Sequence, residues 1–143
     1  MTTVPNWFEV DPEGLAQTLS RRGPGWPVFE LVSNSWDTGG ATEVSVLLTP
    51  QAGQAVTRLL VEDNDPDGFR DLTHAYRLFA PSTRKGDATK RGRFNAGCKM
   101  VIAACIRSTV ASTTGAYRFD REGRHKLRTK RVAGSAFDGY LRM

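Results

Sequence analysis

The chain has 143 residues, of which 39% are hydrophobic and 24% are charged, and this composition excludes an intrinsically disordered chain. No apolar run approaches the roughly 20 residues that a membrane-spanning helix needs. The N-terminal segment also lacks the basic start and apolar stretch of a secretory signal. We therefore expect a single domain over residues 1–143 and a cytoplasmic location.

The net charge of +5 hides a strong asymmetry along the chain. Residues 1–80 hold 5 Lys and Arg against 11 Asp and Glu, whereas residues 81–143 hold 15 against 4. This distribution predicts a site for a polyanion, with acidic residues nearby that could hold a metal ion. Charge alone does not distinguish a nucleotide, a nucleic acid and a solvated protein face.

Capping and turn residues predict the order of helices and strands. Asp11 followed by Pro12 is typical of a helix start, and Gly23 is typical of its end. The further predicted elements are a helix from Pro27 to the glycines at 39 and 40, strands at 43–49 and 56–62, a loop at 63–68, a helix at 71–79, a loop at 81–93, a helix at about 95–105, and strands near 106–113, 116–120, 124–132 and 135–142. This order predicts an α+β protein, a two-layer α/β sandwich whose mixed, mostly antiparallel sheet carries helices on one face.

The two cysteines, Cys98 and Cys105, lie seven residues apart in a predicted helix. Their Cα atoms would then be about 10 Å apart, which is too far for a disulfide bond. Neither has a Cys or His neighbour at zinc-ligand spacing, so both are predicted to be thiols in the protein core.

Three polar residues of the second predicted helix share one face. At about 100° per residue, Glu30, Asn34 and Asp37 fall within about 60° of one another, with Leu31 and Trp36 on the opposite arc. A carboxylate beside a carboxamide oxygen suits a general base next to a ligand of a hard metal ion. An ordinary amphipathic helix gives the same pattern, so this segment alone leaves both interpretations open.

An acidic loop, Asp63–Gly68, follows the apolar strand at 56–62. An acid at the end of a strand can accept a hydrogen bond from an exocyclic amine, and Gly68 lets the backbone approach a ligand closely. The same residue types also form ordinary turns, so the loop by itself does not define a binding site.

A basic, glycine-containing segment, Lys90–Met100, enters the third apolar helix. Glycines before a helix N-terminus leave backbone N–H groups and the positive end of the helix dipole available to a phosphate. Lys85, Lys90, Arg93 and Lys99 add positive charge there. The Walker pattern is absent, so the segment is not a P-loop.

Taken in this order, ELVSNSWD, DNDPDGF and STRK…GRFNAGCKM resemble the motifs of the GHKL ATPases, the superfamily of gyrase B subunits, ninety-kilodalton heat-shock chaperones, mismatch-repair ATPases and sensor histidine kinases. The resemblance covers about residues 13–142. It implies that residues 1–143 form one GHKL-like ATP-binding domain with the Bergerat fold, in which ATP and magnesium lie between a helical layer and a flexible lid.

The resemblance also implies a role for each matching residue. Glu30 would activate the attacking water, and Asn34 would coordinate magnesium. Asp63 would bind the adenine amino group, with help from Ser135 at the start of the last strand. The remaining implied ATP-binding residues are Asp37 on the helix face, Gly68 in the acidic loop, Ser82 and Lys85 in the lid, Gly92, Phe94, Asn95 and Gly97 around the phosphates, and Lys99 at the terminal phosphate.

The expected function is magnesium-dependent ATP hydrolysis, since hydrolysing members of the superfamily carry a glutamate where Glu30 stands. The resemblance implies either a nucleotide-dependent homodimer or a separate effector protein as partner. The alternative is a catalytically weak or inactive module that senses nucleotides or binds DNA. Its nucleic-acid contact would be the basic stripe Arg124, Lys126, Arg128 and Lys130, which also suits a solvated edge strand.

Overall fold

The computed structural model describes residues 2–4, 11–23, 25–37, 40–66, 97–127 and 134–142. These residues form one antiparallel sheet in the spatial order β1-β6-β5-β4-β7-β3-β2, together with helices α1 to α3. In chain order the elements are β1 (Thr2–Val4), α1 (Pro12–Arg22), α2 (Trp26–Asp37), β2 (Val44–Pro50), β3 (Val56–Asp63), α3 (Gly97–Ala104), β4 (Cys105–Ser112), β5 (Gly115–Asp120), β6 (Gly123–Leu127) and β7 (Ser135–Arg142).

The ends of α1 follow from its flanking residues. The Gly14 N–H donates to Asp11 Oδ2 at 2.8 Å, which satisfies one of the backbone donors that a helix start leaves without a partner. Gly23 ends the helix with a φ of 85°, a left-handed conformation that glycine adopts without strain. The predicted cap and the predicted stop are both confirmed.

Short turns explain why the strands pair antiparallel. β2 and β3 form a hairpin in which the Gln51 N–H donates to the Val56 carbonyl at 2.9 Å, and Gly53 takes a φ of 72° in the turn. β4, β5 and β6 follow one another through two-residue turns, and β7 inserts between β3 and β4. The register places Asp63, the last residue of β3, opposite Ser135, the first residue of β7.

The core lies between one face of the sheet and the helices α2 and α3. Its buried residues are Trp26 and Leu31 of α2, Val101 and Ile102 of α3, and Leu59, Val61, Cys105, Val110, Phe119 and Phe137 of the strands. The Cys105 thiol is buried and donates to the Val101 carbonyl at 3.3 Å, which confirms its prediction as a core thiol. The side chain of Cys98 lies outside the described part of the chain.

The opposite face of the sheet carries polar pairs. Arg58 of β3 makes two hydrogen bonds to the Asp138 carboxylate of β7, at 2.9 and 2.8 Å. The hydrogen bond and the charge of Asp138 hold the pKa of Arg58 above its ordinary value. The Arg107 guanidinium lies over the Tyr140 ring, 4.2 Å from its centroid.

The predicted fold class, an α+β two-layer α/β sandwich of the Bergerat type with a mixed sheet, is wrong. Every described strand pair is antiparallel, and the described chain is mostly β-sheet, with helices of only 11, 12 and 8 residues. The physical reason is the closely spaced run of β4, β5 and β6, since two-residue turns favour antiparallel hairpins. The described helices also leave β2 exposed along six of its seven residues.

Some element predictions differ from the structure or fall outside it. The N-terminal strand β1, which pairs with β6, was not predicted. The helix predicted at 95–105 is described over Gly97–Ala104, and the chain becomes β4 at Cys105. The helix predicted at 71–79 and the loop predicted at 81–93 lie outside the described residues. None of the described helices is long and apolar enough to cross a lipid bilayer.

Candidate functional site

The carboxylate of Asp63 is held in place by three donors at the junction of β3 and β7. The Ser135 hydroxyl donates to Asp63 Oδ2 at 2.6 Å, and the Ser135 N–H donates to Oδ1 at 3.2 Å. The Asp65 N–H also donates to Oδ1, at 3.1 Å. A carboxylate offers about four acceptor positions, so this half-buried group keeps one for a further donor.

The loop after β3 is tied to the segment that follows α2. Asn64 Oδ1 accepts from the Thr42 and Glu43 N–H groups at 2.8 and 3.0 Å, and Asn64 Nδ2 donates to Thr42 Oγ1 at 2.8 Å. Asp65 is only 2% exposed, and a Cβ on Gly40 would lie 2.5 Å from its Oδ1. These contacts bring the segment at residues 40–43, which follows α2, to the C-terminal end of β3.

Sequence reasoning missed the roles of Asn64 and Asp65, which it assigned only to a turn. Asn and Asp directly after a strand are typical of ordinary turns, so their residue types did not predict contacts with a distant segment. The partners of Asn64 lie more than twenty residues earlier in the chain, so only the folded structure shows these contacts.

The polar face of α2 is half-buried. Glu30, Asn34 and Asp37 are all intermediate in exposure, and the helix packs against β2, β3 and α3. Of the apolar residues of this helix, Trp36 is 49% exposed and Phe29 is 58% exposed. These two aromatic residues lie on the solvent side of α2, whereas Trp26 and Leu31 of the same helix are buried in the core.

Two oxygen atoms on this face are buried without a hydrogen-bond partner. They are Asn34 Oδ1 and Asp37 Oδ2, one helical turn apart. Buried polar atoms in native proteins are nearly always paired, and an unpaired one costs about 1–3 kcal/mol. Carboxylate and amide oxygens are the ligands that Mg²⁺ and Ca²⁺ prefer, so a hard cation is a chemically suitable partner for both atoms.

The other predicted site residues fall into two groups. Gly68, Ser82, Lys85, Gly92, Phe94 and Asn95 lie outside the described residues. Gly97 is the first residue of α3, and Lys99 follows in its first turn with a fully buried side chain.

A different set of metal-ligand types lies on the β5–β6 hairpin. The ligand atoms of Asp120, Glu122 and His125 all lie within 4.8 Å of one another. His125 is 2% exposed, and its Nε2 lies 2.9 Å from Asp120 Oδ1, which also accepts from the Glu122 N–H at 2.9 Å. The sequence did not predict this group, and the strands β4 and β7 separate it from Asp63.

Asp120 gives the hairpin a pH-dependent contribution to stability. Burial raises the pKa of Asp120, but the hydrogen bonds from His125 and the Glu122 N–H, with the charge of nearby Arg118, outweigh it and hold the pKa below its ordinary value. A lowered pKa in the folded state means that the stabilisation is present above the ordinary Asp pKa of about 3.9. It is lost as the pH falls through the lower, folded-state pKa.

We therefore expect Asp120→Asn to lower the free energy of unfolding by about 1.5–3 kcal/mol at pH 7, the range for hydrogen bonds to a charged group. Urea unfolding of both proteins measures this difference at several pH values. The difference should begin to shrink below about pH 4, where Asp120 becomes protonated in the unfolded chain, and should disappear as the pH falls through the lower pKa of the folded state. A difference that stays constant down to pH 2 would contradict the assignment.

The basic stripe is described only in part. Arg124 and Lys126 lie two residues apart on β6 and therefore point to the same side of the sheet. Lys126 is exposed, and Arg124 is half-buried. Arg128 and Lys130 lie outside the described residues, so contact with nucleic acid stays a prediction.

Gly134 positions the backbone of the acidic loop. A Cβ at this residue would overlap the Asp63 carbonyl oxygen and lie 2.8 Å from the Asp63 carbonyl carbon. We expect Gly134→Ala to lower the free energy of unfolding by about 1–3 kcal/mol, because neighbouring backbone must shift. Thermal unfolding checks this, with Gly25→Ala as the control, since a Cβ on Gly25 meets nothing within 4 Å. Equal effects of the two changes would refute the close approach.

The comparisons with known proteins assign the chain to no family. No protein-family model matches the sequence, and no curated protein matches it either. The function must therefore be inferred from the residues and their geometry.

Proposed function

We propose that the protein binds ATP and Mg²⁺ where α2 meets the end of β3, and that it hydrolyses the nucleotide in the manner of GHKL ATPases. The Asp63–Ser135 pair carries this proposal, because it presents a fixed, half-buried carboxylate with one acceptor position left. The proposal rests on the site residues and their chemistry, and not on the fold class that the sequence predicted.

The chemistry of Asp63 favours adenine. The 6-amino group of adenine is a hydrogen-bond donor, whereas guanine carries a carbonyl oxygen at the same place. A carboxylate whose other lone pairs are already occupied would accept from the amino group and repel the carbonyl. We therefore propose ATP over GTP, with Ser135 holding the carboxylate in the orientation that the base requires.

The α2 face supplies groups for the metal ion and the water. Asn34 Oδ1 and Asp37 Oδ2 are buried and unpaired, which suits a hard cation that brings the phosphates with it. Glu30 lies on the same face, one turn before Asn34, where its carboxylate would accept a proton from the attacking water. Bound Mg²⁺ would supply charge stabilisation at the phosphoryl oxygens.

We also propose a protein partner and a cellular location. An ATPase of this type would act through a nucleotide-dependent homodimer or a separate effector protein. We propose a cytoplasmic location, where ATP is available and where a buried free thiol such as that of Cys105 stays reduced.

The metal assignment is tested by Asn34→Ala. Loss of an unpaired buried oxygen removes a desolvation cost, so the free energy of unfolding of the ligand-free protein should stay unchanged or rise. The same change should weaken ATP binding in the presence of Mg²⁺ by about 10- to 100-fold, as expected for the loss of a metal ligand. Calorimetry with and without Mg²⁺ measures this effect.

Two outcomes would contradict the assignment. If Asn34→Ala destabilises the ligand-free protein by more than about 1 kcal/mol, the amide makes a structural contact instead. If the change weakens ATP binding equally with and without Mg²⁺, the side chain acts on the nucleotide and not on the metal ion.

A further inference from the structure

Among the described strands, β2 forms one edge of the sheet. It stands last in the strand order and pairs with β3 alone among the described strands. Val46, Leu47 and Leu48 are 42%, 52% and 53% exposed, and no charged residue occurs between Val44 and Pro50. Edge strands of stable monomers are usually protected by charges, bulges or a covering segment, so this edge is chemically suited to pairing with another strand.

The hairpin determines which backbone groups of β2 point away from the sheet. The Gln51 N–H donates to the Val56 carbonyl, so bonding to β3 continues at every second residue, through Thr49, Leu47 and Ser45. The N–H and C=O groups of the alternate residues therefore point outwards. These residues are Val44, Val46, Leu48 and Pro50, the last of which has no N–H to donate.

We propose that β2 pairs with β2 of a second copy of the chain, antiparallel and about a two-fold axis at Leu47. The strand sequence VSVLLTP is self-complementary in this register. The two Leu47 side chains meet at the axis. On either side of it, apolar residues pair with apolar residues and hydroxyl residues with hydroxyl residues. The pairs are Val46 with Leu48, Ser45 with Thr49, and Val44 with Pro50.

The backbone bonds fit the same register. Val46 of one copy and Leu48 of the other exchange both hydrogen bonds, because their N–H and C=O groups point outwards. The Val44 N–H donates to the Pro50 carbonyl of the other copy. Because Pro50 has no N–H, this pair makes one backbone hydrogen bond instead of two. The result is a continuous antiparallel sheet with an isologous interface.

The occupant is a second copy because the edge is uncharged and symmetric about its central residue. Self-pairing brings no like charges together, which a strand with Lys or Glu would do. The two-fold axis also places both α2 helices on the same side of the joined sheet. Each α2 packs against β2, so both helices flank the strand pair.

Sedimentation velocity of the full chain without nucleotide tests the proposal, over about 1 μM to 1 mM protein. We expect a dimer that dissociates on dilution. Leu47→Lys places two positive charges at the axis, and Leu48→Pro removes an outward N–H that makes no bond to β3. Each change should weaken the dimer at least about 30-fold, whereas Gln54→Lys in the exposed turn should leave it unchanged.

Circular dichroism and thermal unfolding establish that the variants fold. A wild-type protein that stays monomeric over the whole concentration range would overturn the proposal. A dimer that both Leu47→Lys and Leu48→Pro retain at wild-type affinity would overturn it too, since that dimer must use another surface.

Discussion

Replacing Asp63 with Asn is expected to weaken ATP binding about 10- to 150-fold, the range that follows from losing a hydrogen bond to a charged acceptor. The reason is the set of hydrogen bonds that Ser135 and Asp65 make to the Asp63 side chain. In the variant, the amide oxygen can still accept from the Ser135 and Asp65 N–H groups, and the amide NH₂ faces the Ser135 hydroxyl, which can rotate and accept from it. The acceptor position left for the adenine amino group is lost, while the fold is kept.

The matched control for this change is Glu62→Gln, at the preceding, exposed residue of β3. Successive strand residues point to opposite sides of the sheet, so Glu62 lies away from the face that carries Asp63. Calorimetric titration with ATP and Mg²⁺ should show wild-type affinity for Glu62→Gln. If Asp63→Asn also binds ATP with wild-type affinity, Asp63 does not recognise the base.

Replacing Glu30 with Gln is expected to lower the rate of ATP hydrolysis about 100- to 10,000-fold, the usual contribution of a general base. The amide keeps the size of the carboxylate but accepts no proton from water. ATP affinity should change less than about 3-fold, because Glu30 acts on the water and not on the nucleotide. Phosphate release measured on the same sample as the binding titration separates the two effects.

The control for Glu30→Gln is Glu43→Gln, at an exposed position before β2, which should hydrolyse ATP at the wild-type rate. A wild-type protein that binds ATP and releases no phosphate would favour the alternative of a nucleotide-sensing module. A Glu30→Gln variant that loses binding would show that Glu30 holds the nucleotide or the helix, and would contradict its role as a base.

Local signals in the sequence predicted much of the secondary structure. Asp11 and Gly23 mark the ends of α1 because a cap and a left-handed glycine are properties of single residues. The turn around Gly53 and the two-residue turns after β4 and β5 follow from similarly local chemistry. The contact between Asp63 and Ser135 was also predicted, through the resemblance of the last strand, and the register confirms that the two residues meet.

Features that depend on long-range packing were not predictable in this way. The exposure of Trp36 is one such feature, because helical periodicity places Trp36 and the buried Leu31 on the same arc of α2. β1 is described over only three residues, too few for a periodic signal, and it is defined by its pairing with β6. The fold class was wrong because the extent of the antiparallel sheet, which includes β1, was underestimated.

The most direct measurement is a pair of calorimetric titrations of the wild-type protein, one with ATP and one with GTP, both in the presence of Mg²⁺. We expect ATP to bind at least about 10-fold more tightly than GTP, because Asp63 would accept from the amino group of adenine and repel the carbonyl of guanine. Equal affinities for the two nucleotides, or no binding of ATP at millimolar concentration, would contradict it.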